Sequence, residues 1–441
     1  MSKSPARSAA LAALKRIRDG AYANLAVKEV LGHAGLSQAD AGFVTDLVFG
    51  VCRTMGTLDL VIEEASGRRL TTLQPGVIDI LRLGTYQLLL MRVPAHACVS
   101  TSVWLAEEQI GRRVTGVVNA ILRRVADLDW DEWMDRLTQG VDERDNLAIR
   151  TCHPRWIVDV YARCLPDSEL EAALAANNDP PVPTLVARPG LCTREELLCH
   201  GGTPTRFSPW GVDRSSDPAD VPAVREGRAG VQDEGSQLVT EVLADADAPE
   251  GVWLDMCAGP GGKAALLTGL ALQRGEHLVA SEVYPHRALL VAQAERGYGS
   301  SPVMVADARQ PAWRPSSFSR IMLDASCSGL GALRRRPEAR WRKTDEDIAG
   351  LTSLQRGLLR SACTSLVPGG VLAYVTCSPH PEETIEVLHD LQPGFEILNA
   401  PAFLPQVPSA ESGLDPRFIQ LWPHRHGTDA MFCALVRKSL R

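Results

Sequence analysis

Apolar positions along the first 128 residues recur at helical spacing. Leu11, Leu14 and Ile17 fall on one helix face, and similar runs predict helices over Phe43 to Arg53, Val77 to Leu90, Val99 to Ile110 and Thr115 to Val125. Leu36-Ser37-Gln38-Ala39-Asp40 reads as a turn with a helix start, Pro75 and Pro94 punctuate the helices, and strand signals are few. The pattern then becomes mixed. Asp127 to Asp145 is acidic and reads as a linker with a short helix, followed by helices over Trp156 to Leu165 and Glu169 to Ala176. Asn177-Asn178-Asp179-Pro180-Pro181 breaks the run before a strand at Thr184 to Ala187, and the Pro-rich stretch from Pro204 to Pro222 reads as loops.

From residue 229 onward strands and helices alternate, as in a doubly wound α/β sheet. Gly230 to Gln237 leads into a helix ending near Leu243. Strands are predicted at Val252 to Met256, Leu278 to Ser281, Val303 to Ala306, Ser319 to Leu323 and Val371 to Val375. Helices are predicted through Leu270, over His286 to Arg296, Asp345 to Leu366 and Glu382 to Leu391, with a closing hairpin of Phe418 to Trp422 and Met431 to Val436. The expected organisation is therefore multidomain: an all-α domain over 1–128, a linker and small α+β module over 129–228, and a Rossmann-like α/β domain over 229–441.

The 441 residues suffice for two or three cores, and 45% apolar against 22% charged is ordinary for a soluble chain. No apolar run approaches the ~20 residues of a membrane helix. Met1 to Pro5 runs into an amphipathic helix without a signal peptide's apolar core, so a cytoplasmic protein is expected. The net charge of −7 argues mildly against bulk electrostatic binding of nucleic acid and leaves a local basic patch open. Eleven cysteines occur without a Cys-x-x-Cys pair or zinc-finger spacing, so no metal is expected, and Cys52, Cys98, Cys164, Cys363 and Cys433 read as small buried hydrophobes.

Two strand-end segments carry candidate chemistry. The first is Cys257-Ala258-Gly259-Pro260-Gly261-Gly262-Lys263, between a strand and a helix, where glycines permit close approach of a ligand to the backbone. Glu282 ends the next strand and suits two ribose hydroxyls; Asp307 follows the third and suits an adenine amino group. The loop is neither Gly-x-Gly-x-x-Gly nor a phosphate loop, which disfavours a nicotinamide dehydrogenase and suits S-adenosylmethionine, a cofactor without phosphate. The second is a pair of cysteine loops, Asp324-Ala325-Ser326-Cys327-Ser328-Gly329 and Thr376-Cys377-Ser378-Pro379, each following a short apolar strand. Two thiols and a carboxylate on one rim suit covalent catalysis.

Ala21-Tyr22-Ala23-Asn24, Leu81 to Leu88, Val93-Pro94-Ala95-His96 and Val118 to Arg124 resemble the NusB-type RNA-binding fold. Asp40-Ala41-Gly42-Phe43 departs from the Asp-Arg-x-Phe usual there. Together with the Gly-rich loop, Asp-Ala-Ser-Cys-Ser-Gly-Leu-Gly and Thr-Cys-Ser-Pro, nearly the whole chain resembles the Sun-type (RsmB/NOP) family of rRNA cytosine-C5 methyltransferases. The resemblance implies that Cys377 is the nucleophile, that Cys327 assists product release and that Asp324 holds the base edge. It implies a cofactor site of Cys257 to Lys263, Glu282, Asp307 and Asp324 for S-adenosylmethionine. The expected partner is RNA, with 16S rRNA foremost and the protein a monomer.

In such a reaction a thiolate adds to cytosine carbon 6 and makes carbon 5 able to accept a methyl group. A free thiol with a pKa of ~8.5 is only slightly ionised at neutral pH. Pro381 reads as the start of a helix whose dipole favours a thiolate, against the opposing charges of Glu382 and Glu383. Ser326 stands where the family usually has proline, which leaves the Cys327 loop less restricted by ~0.4–1 kcal/mol. Leu333 to Lys343 adjoins Cys327 and carries Arg334, Arg335, Arg336, Arg340, Arg342 and Lys343 around Trp341. A phosphate-gripping role is expected for this run, with Trp341 stacking on a base or packing. Arg112, Arg113, Arg123 and Arg124 are further phosphate candidates, with a solvated helix face equally open. The catalytic motifs leave open a cytosine-5 methyltransferase acting on tRNA or another rRNA, and a non-catalytic RNA-binding assembly factor is the rival of a different class.

Overall fold

The computed structural model describes residues 4–91, 93–299 and 301–440, so residues 1–3 of the opening stretch lie outside it. The chain forms two compact units: residues 1–159, 167–179 and 333–344 make the first, and 160–166, 180–332 and 345–441 the second.

The first unit is helical. It contains α1 (Pro5–Arg18), α2 (Ala23–Ala34), α3 (Gln38–Ser66), α4 (Pro75–Leu89), α5 (Ala95–Gln109), α6 (Thr115–Val125), α7 (Trp130–Leu137) and α8 (Glu143–Thr151). The helix α9 (Arg155–Cys164) begins in this unit and ends in the second, and α10 (Asp167–Ala176) returns to the first. Periodicity explains the packing: Val118, Ile121, Leu122 and Val125 of α6 are buried, whereas Arg123 and Arg124 on its other face are exposed. Ser37 caps α3 by accepting from the Asp40 N–H, and Gly67 ends it in a left-handed conformation, so this helix runs 29 residues, well beyond the expected Phe43 to Arg53. The acidic stretch after residue 127 is more regular than a linker, because Asp129 and Glu132 form a capping box that starts α7. No helix among the described residues is long and apolar enough to cross a membrane.

The second unit holds two sheets. Strands β1 (Thr184–Ala187), β2 (Thr203–Pro204), β3 (Gly211–Asp213) and β4 (Ala229–Val231) form an antiparallel sheet in the order β2-β3-β1-β4, with the short helices α11 (Arg194–Leu198) and α12 (Pro222–Glu226). Short strands thus occupy part of the stretch expected as loops. The expected middle module is divided, its early helices packing in the first unit and its strands in the second.

The larger sheet follows α13 (Glu234–Asp245). It comprises β5 (Trp253–Asp255), α14 (Gly262–Gln273), β6 (Leu278–Glu282), α15 (Pro285–Glu295), β7 (Val303–Val305), β8 (Phe318–Asp324), α16 (Ile348–Ser365), β9 (Leu366–Thr376), α17 (Ile385–Leu388), β10 (Phe395–Ile397), β11 (Ile419–Gln420), α18 (Pro423–His426) and β12 (Phe432–Lys438). The order is β10-β12-β9-β8-β5-β6-β7, with β11 beside β12. β9, β8, β5, β6 and β7 run parallel and β12 antiparallel to β9. Buried on both faces, the central strands read as near-continuous apolar runs, which is why the sequence located them. Their carboxyl ends form the rim on which the candidate chemistry lies.

Candidate active site

Register aligns the reactive residues. Asp324 at the end of β8 pairs with Val375 of β9, and Asp255 of β5 pairs with Met322 of β8. Each chain then turns over the same rim, so Cys327, three residues beyond Asp324, meets Cys377, two beyond Val375. Their Sγ atoms lie 3.3 Å apart. Neither thiol is fully enclosed. The hydrogen bond to Cys377, burial and neighbouring negative charge push the Cys327 thiol well above its ordinary pKa. The surroundings thus favour the protonated form of Cys327. The second loop is anchored from behind: the Cys377 carbonyl accepts from Gly331 N–H at 2.9 Å, and Tyr161 donates to the Leu330 carbonyl at 2.9 Å.

Lys263 at the start of α14 reaches this rim. Its Nζ donates to Asp324 Oδ2 at 2.9 Å and lies 3.2 Å from Ser236 Oγ. Burial works to lower the Lys263 pKa, but the charge and hydrogen bond of Asp324, helped by Cys377 and Asp255, outweigh it and hold the ammonium above the usual lysine value. The site therefore keeps a fixed cation beside the carboxylate expected to hold the base.

The glycine loop fits a cofactor. Gly261 caps α14 with φ of +107° and offers no side chain to its free N–H groups. A Cβ there would lie 2.6 Å from Ala294 Cβ, and a Cβ on Gly259 would lie 2.1 Å from Glu282 Oε2. Glu282 is buried; its Oε2 accepts from Gly259 N–H and its Oε1 from Tyr284 N–H, both at 3.1 Å. Arg287 Nε also lies 3.6 Å from Oε2, so Oε1 keeps the more open acceptor position for a ribose hydroxyl. Asp255 is buried with both carboxylate oxygens unpartnered, and burial followed by the charge of Asp324 holds it well above the usual carboxylate range. Asp307 stands differently. Arg309 grips its carboxylate through Nε at 3.0 Å and Nη2 at 2.6 Å, which holds it below the usual range, so an adenine amino group must compete with that guanidinium. Burial pushes Cys257 upward, marking it as an inert thiol of the loop. Cys52, Cys98, Cys363 and Cys433 are buried, and Cys164 is half-buried with its thiol directed to the Pro379 carbonyl.

Gly259→Ala is expected to weaken S-adenosylmethionine binding about 5- to 150-fold, the factor that overpacking of roughly 1–3 kcal/mol translates into. Gly350→Ala on α16, where a Cβ meets open space, is the matched control and should leave the dissociation constant unchanged by calorimetry.

The basic run is the main correction. Leu333 to Thr344 belongs to the helical unit, where Pro337–Trp341 forms a 3₁₀ turn. Arg340 is wholly buried: Nη1 donates to the Cys152 carbonyl at 2.9 Å and Asn178 Oδ1 at 2.7 Å, and Nη2 to the Asn177 carbonyl at 3.2 Å. Trp341 packs, and its Nε1 donates to the Cys52 carbonyl at 2.7 Å. Arg342 Nη2 donates to the carbonyls of Ile17 at 2.6 Å and Ala21 at 2.5 Å, at the carboxyl end of α1. Glu338 accepts from Ala23 N–H at 3.1 Å at the start of α2. These side chains satisfy helix ends, as cations and anions do at the respective dipole poles; Arg340 and Glu338 are buried away from any phosphate, whereas Arg342 stays exposed beside the end of α1. Arg334 is also buried, and Arg335 and Lys343 are half-buried. Arg336 is exposed and lies over the exposed Tyr22 ring at 4.9 Å.

Residues 242–437 match the family model for the 16S rRNA methyltransferase RsmB/F, and residues 4–127 match the NusB family. The putative methyltransferase Rv1407 of Mycobacterium tuberculosis is 46% identical over 98% of this chain and 96% of its own length. The chain belongs to the RsmB/F methyltransferase family. A probable ribosomal RNA small subunit methyltransferase B of Synechocystis is 31% identical over 98% of this chain and 99% of its own. In fold, the crystal structure of PH0851 superposes with a TM-score of 0.83 at 22% identity, covering 99% of this chain and all of that one. The protein is accordingly an S-adenosylmethionine-dependent RNA methyltransferase with a NusB-like helical region.

Sequence reasoning placed Cys327, Cys377, Asp324 and the cofactor loop on one rim. It missed Glu383, Ser328, Ser378 and Gln355 beneath that rim. The repeated Cys-Ser pair in both loops was the available signal, but nothing in the sequence named the carboxylate that joins them.

Proposed function

We propose that the protein methylates carbon 5 of a cytosine in 16S rRNA, with Cys377 forming a covalent bond to cytosine carbon 6. The observation that carries this reading is the 3.3 Å approach of Cys327 and Cys377 Sγ beside the Lys263–Asp324 pair at the mouth of the cofactor loop. The small-subunit rRNA named for the Synechocystis relative supports the choice of RNA.

S-adenosylmethionine supplies an electrophilic methyl group on its sulfonium when bound. Cys257 to Lys263, Glu282, Asp307 and Asp324 hold that cofactor, Asp307 after releasing Arg309. Asp324, fixed by Lys263, orients the base edge. The Cys377 thiolate adds to carbon 6 and breaks the 5,6 double bond, which makes carbon 5 nucleophilic. After methylation, loss of the carbon 5 proton to a base restores the double bond as the C6–S bond breaks. In this reading Cys327, whose surroundings favour the protonated form, assists release by returning a proton to the departing Cys377 sulfur. A cytosine extruded from the helix is required, since carbon 6 is shielded in a stack. Arg336 with Tyr22, and the exposed Arg112, Arg113, Arg123, Arg124 and Arg342, are candidate contacts for the RNA backbone.

Incubation with small-subunit rRNA and methyl-labelled S-adenosylmethionine, followed by nucleoside analysis, should place the label in 5-methylcytidine. Label in another nucleoside contradicts the reading; label in tRNA alone keeps the chemistry and moves the substrate.

A further inference from the structure

The helix expected after Cys377 does not form as one element. A 3₁₀ turn over Pro381–Glu383 is followed only by the four residues of α17, so the expected dipole does not point at the thiol. The break turns Glu383 inward, where it is wholly buried. Its Oε1 accepts from Ser328 N–H at 2.7 Å and Gln355 Nε2 at 3.2 Å. Its Oε2 accepts from Ser378 Oγ at 2.7 Å and from the Ser328 hydroxyl. An ionised carboxylate offers about four acceptor sites, and each has a donor here.

These donors are not scattered. Ser328 directly follows Cys327, Ser378 directly follows Cys377, and their hydroxyl oxygens lie 3.0 Å apart. Gln355 also donates to the Ser326 carbonyl at 2.9 Å, tying α16 to the residue before Cys327. Glu383 is itself pinned, its carbonyl accepting from Tyr374 Oη at 2.7 Å. Apolar packing would serve stability as well as a buried charge does, so a carboxylate with this set of partners suggests that geometry is being specified.

We infer that Glu383 is a positioning residue that locks the Cys327 and Cys377 loops in one register and thereby holds the two thiols at contact distance for methyl transfer. It is sealed from substrate and cofactor and acts only through the loops. The inference rests on Cys377 as the nucleophile. The negative charge of Glu383 also adds, after the Cys377 contact and burial, to the groups that keep Cys327 protonated.

The test has a readout that needs no substrate. Diamide takes one hydrogen from each thiol and is reduced to its hydrazine, so the rate of Cys327–Cys377 disulfide formation, mapped by mass spectrometry, reports thiol spacing. Glu383→Ala should slow that closure about tenfold or more and lower kcat about 10²-fold, as expected for reacting groups displaced by about 1 Å. Its KM values for rRNA and S-adenosylmethionine should stay within about threefold, since no binding contact is removed. Glu383→Gln keeps the shape and can donate to both serine hydroxyls, so it should recover most of the closure rate and turnover. A folded Glu383→Ala with wild-type closure and turnover overturns the inference, as does a glutamine variant no better than alanine in closure. If Glu383→Ala does not fold, the Ser328→Ala/Ser378→Ala double variant is read by the same criteria. Methyl transfer by Cys377→Ala would overturn the nucleophile assignment instead, while the closure rates would still decide the role of Glu383.

Discussion

Cys377→Ala is expected to lower methyl transfer by at least about 10³-fold while leaving the fold intact, because the proposed reaction assigns the carbon 6 bond to this sulfur. Cofactor binding should change by no more than about twofold, since Lys263 keeps Asp324 as its partner after the sulfur is lost. A second consequence concerns Cys327. Its pKa is raised first by the bond to Cys377 and then by burial, so removing Cys377 should bring it down, with burial and the charges of Glu383 and Asp324 still holding it above the ordinary thiol value. Iodoacetamide should then alkylate Cys327 faster at pH 8 in the variant than in the wild type. A variant that methylates within about tenfold of wild type would contradict covalent attack by this sulfur.

Arg340→Ala is expected to destabilise the helical unit by roughly 3–5 kcal/mol, the cost of removing a buried charge whose Nη1 and Nη2 both serve buried acceptors, and to lower its melting temperature by roughly 10 °C. The carbonyls of Cys152 and Asn177 and the Asn178 side chain would lose their donor inside the protein. Arg336→Ala makes the contrast, because that side chain is exposed over Tyr22. It should leave melting nearly unchanged and weaken RNA binding, with a salt dependence reduced by about one phosphate contact. Equal melting temperatures for Arg340→Ala and wild type, with weakened RNA binding, would restore the phosphate-gripping reading of Arg340.

The same contrast explains what the sequence could and could not convey. Thr115–Val125 and Thr184–Ala187 were located to the residue, because an amphipathic period in one and a bounded β-rich run in the other dominate locally. The central strands were legible as apolar runs, and the cysteine and glycine loops follow from their ends. The basic run was not legible in function. Guanidinium groups suit phosphate and helix-end carbonyls alike, and only the fold shows that Arg342 meets the end of α1 and Arg340 a buried cluster of acceptors. Strand β10, Phe395–Ile397, has a side chain pattern too short to announce itself and is fixed by pairing with β12. The helix expected over Glu382 to Leu391 fails because Glu383 is drawn inward by Ser328, Ser378 and Gln355, three partners distant in sequence or hidden behind a cysteine.

In the proposed reaction two thiols in contact divide the work, Cys377 making the carbon 6 bond and Cys327 helping to break it. Cys327→Ala, incubated with rRNA and S-adenosylmethionine and followed by denaturing electrophoresis and mass spectrometry of the protein–RNA species, separates the two roles. A covalent adduct should accumulate, map to Cys377 and carry a methylated cytosine. Release of 5-methylcytidine at the wild-type rate without any adduct, or an adduct mapped to another residue, would contradict this division.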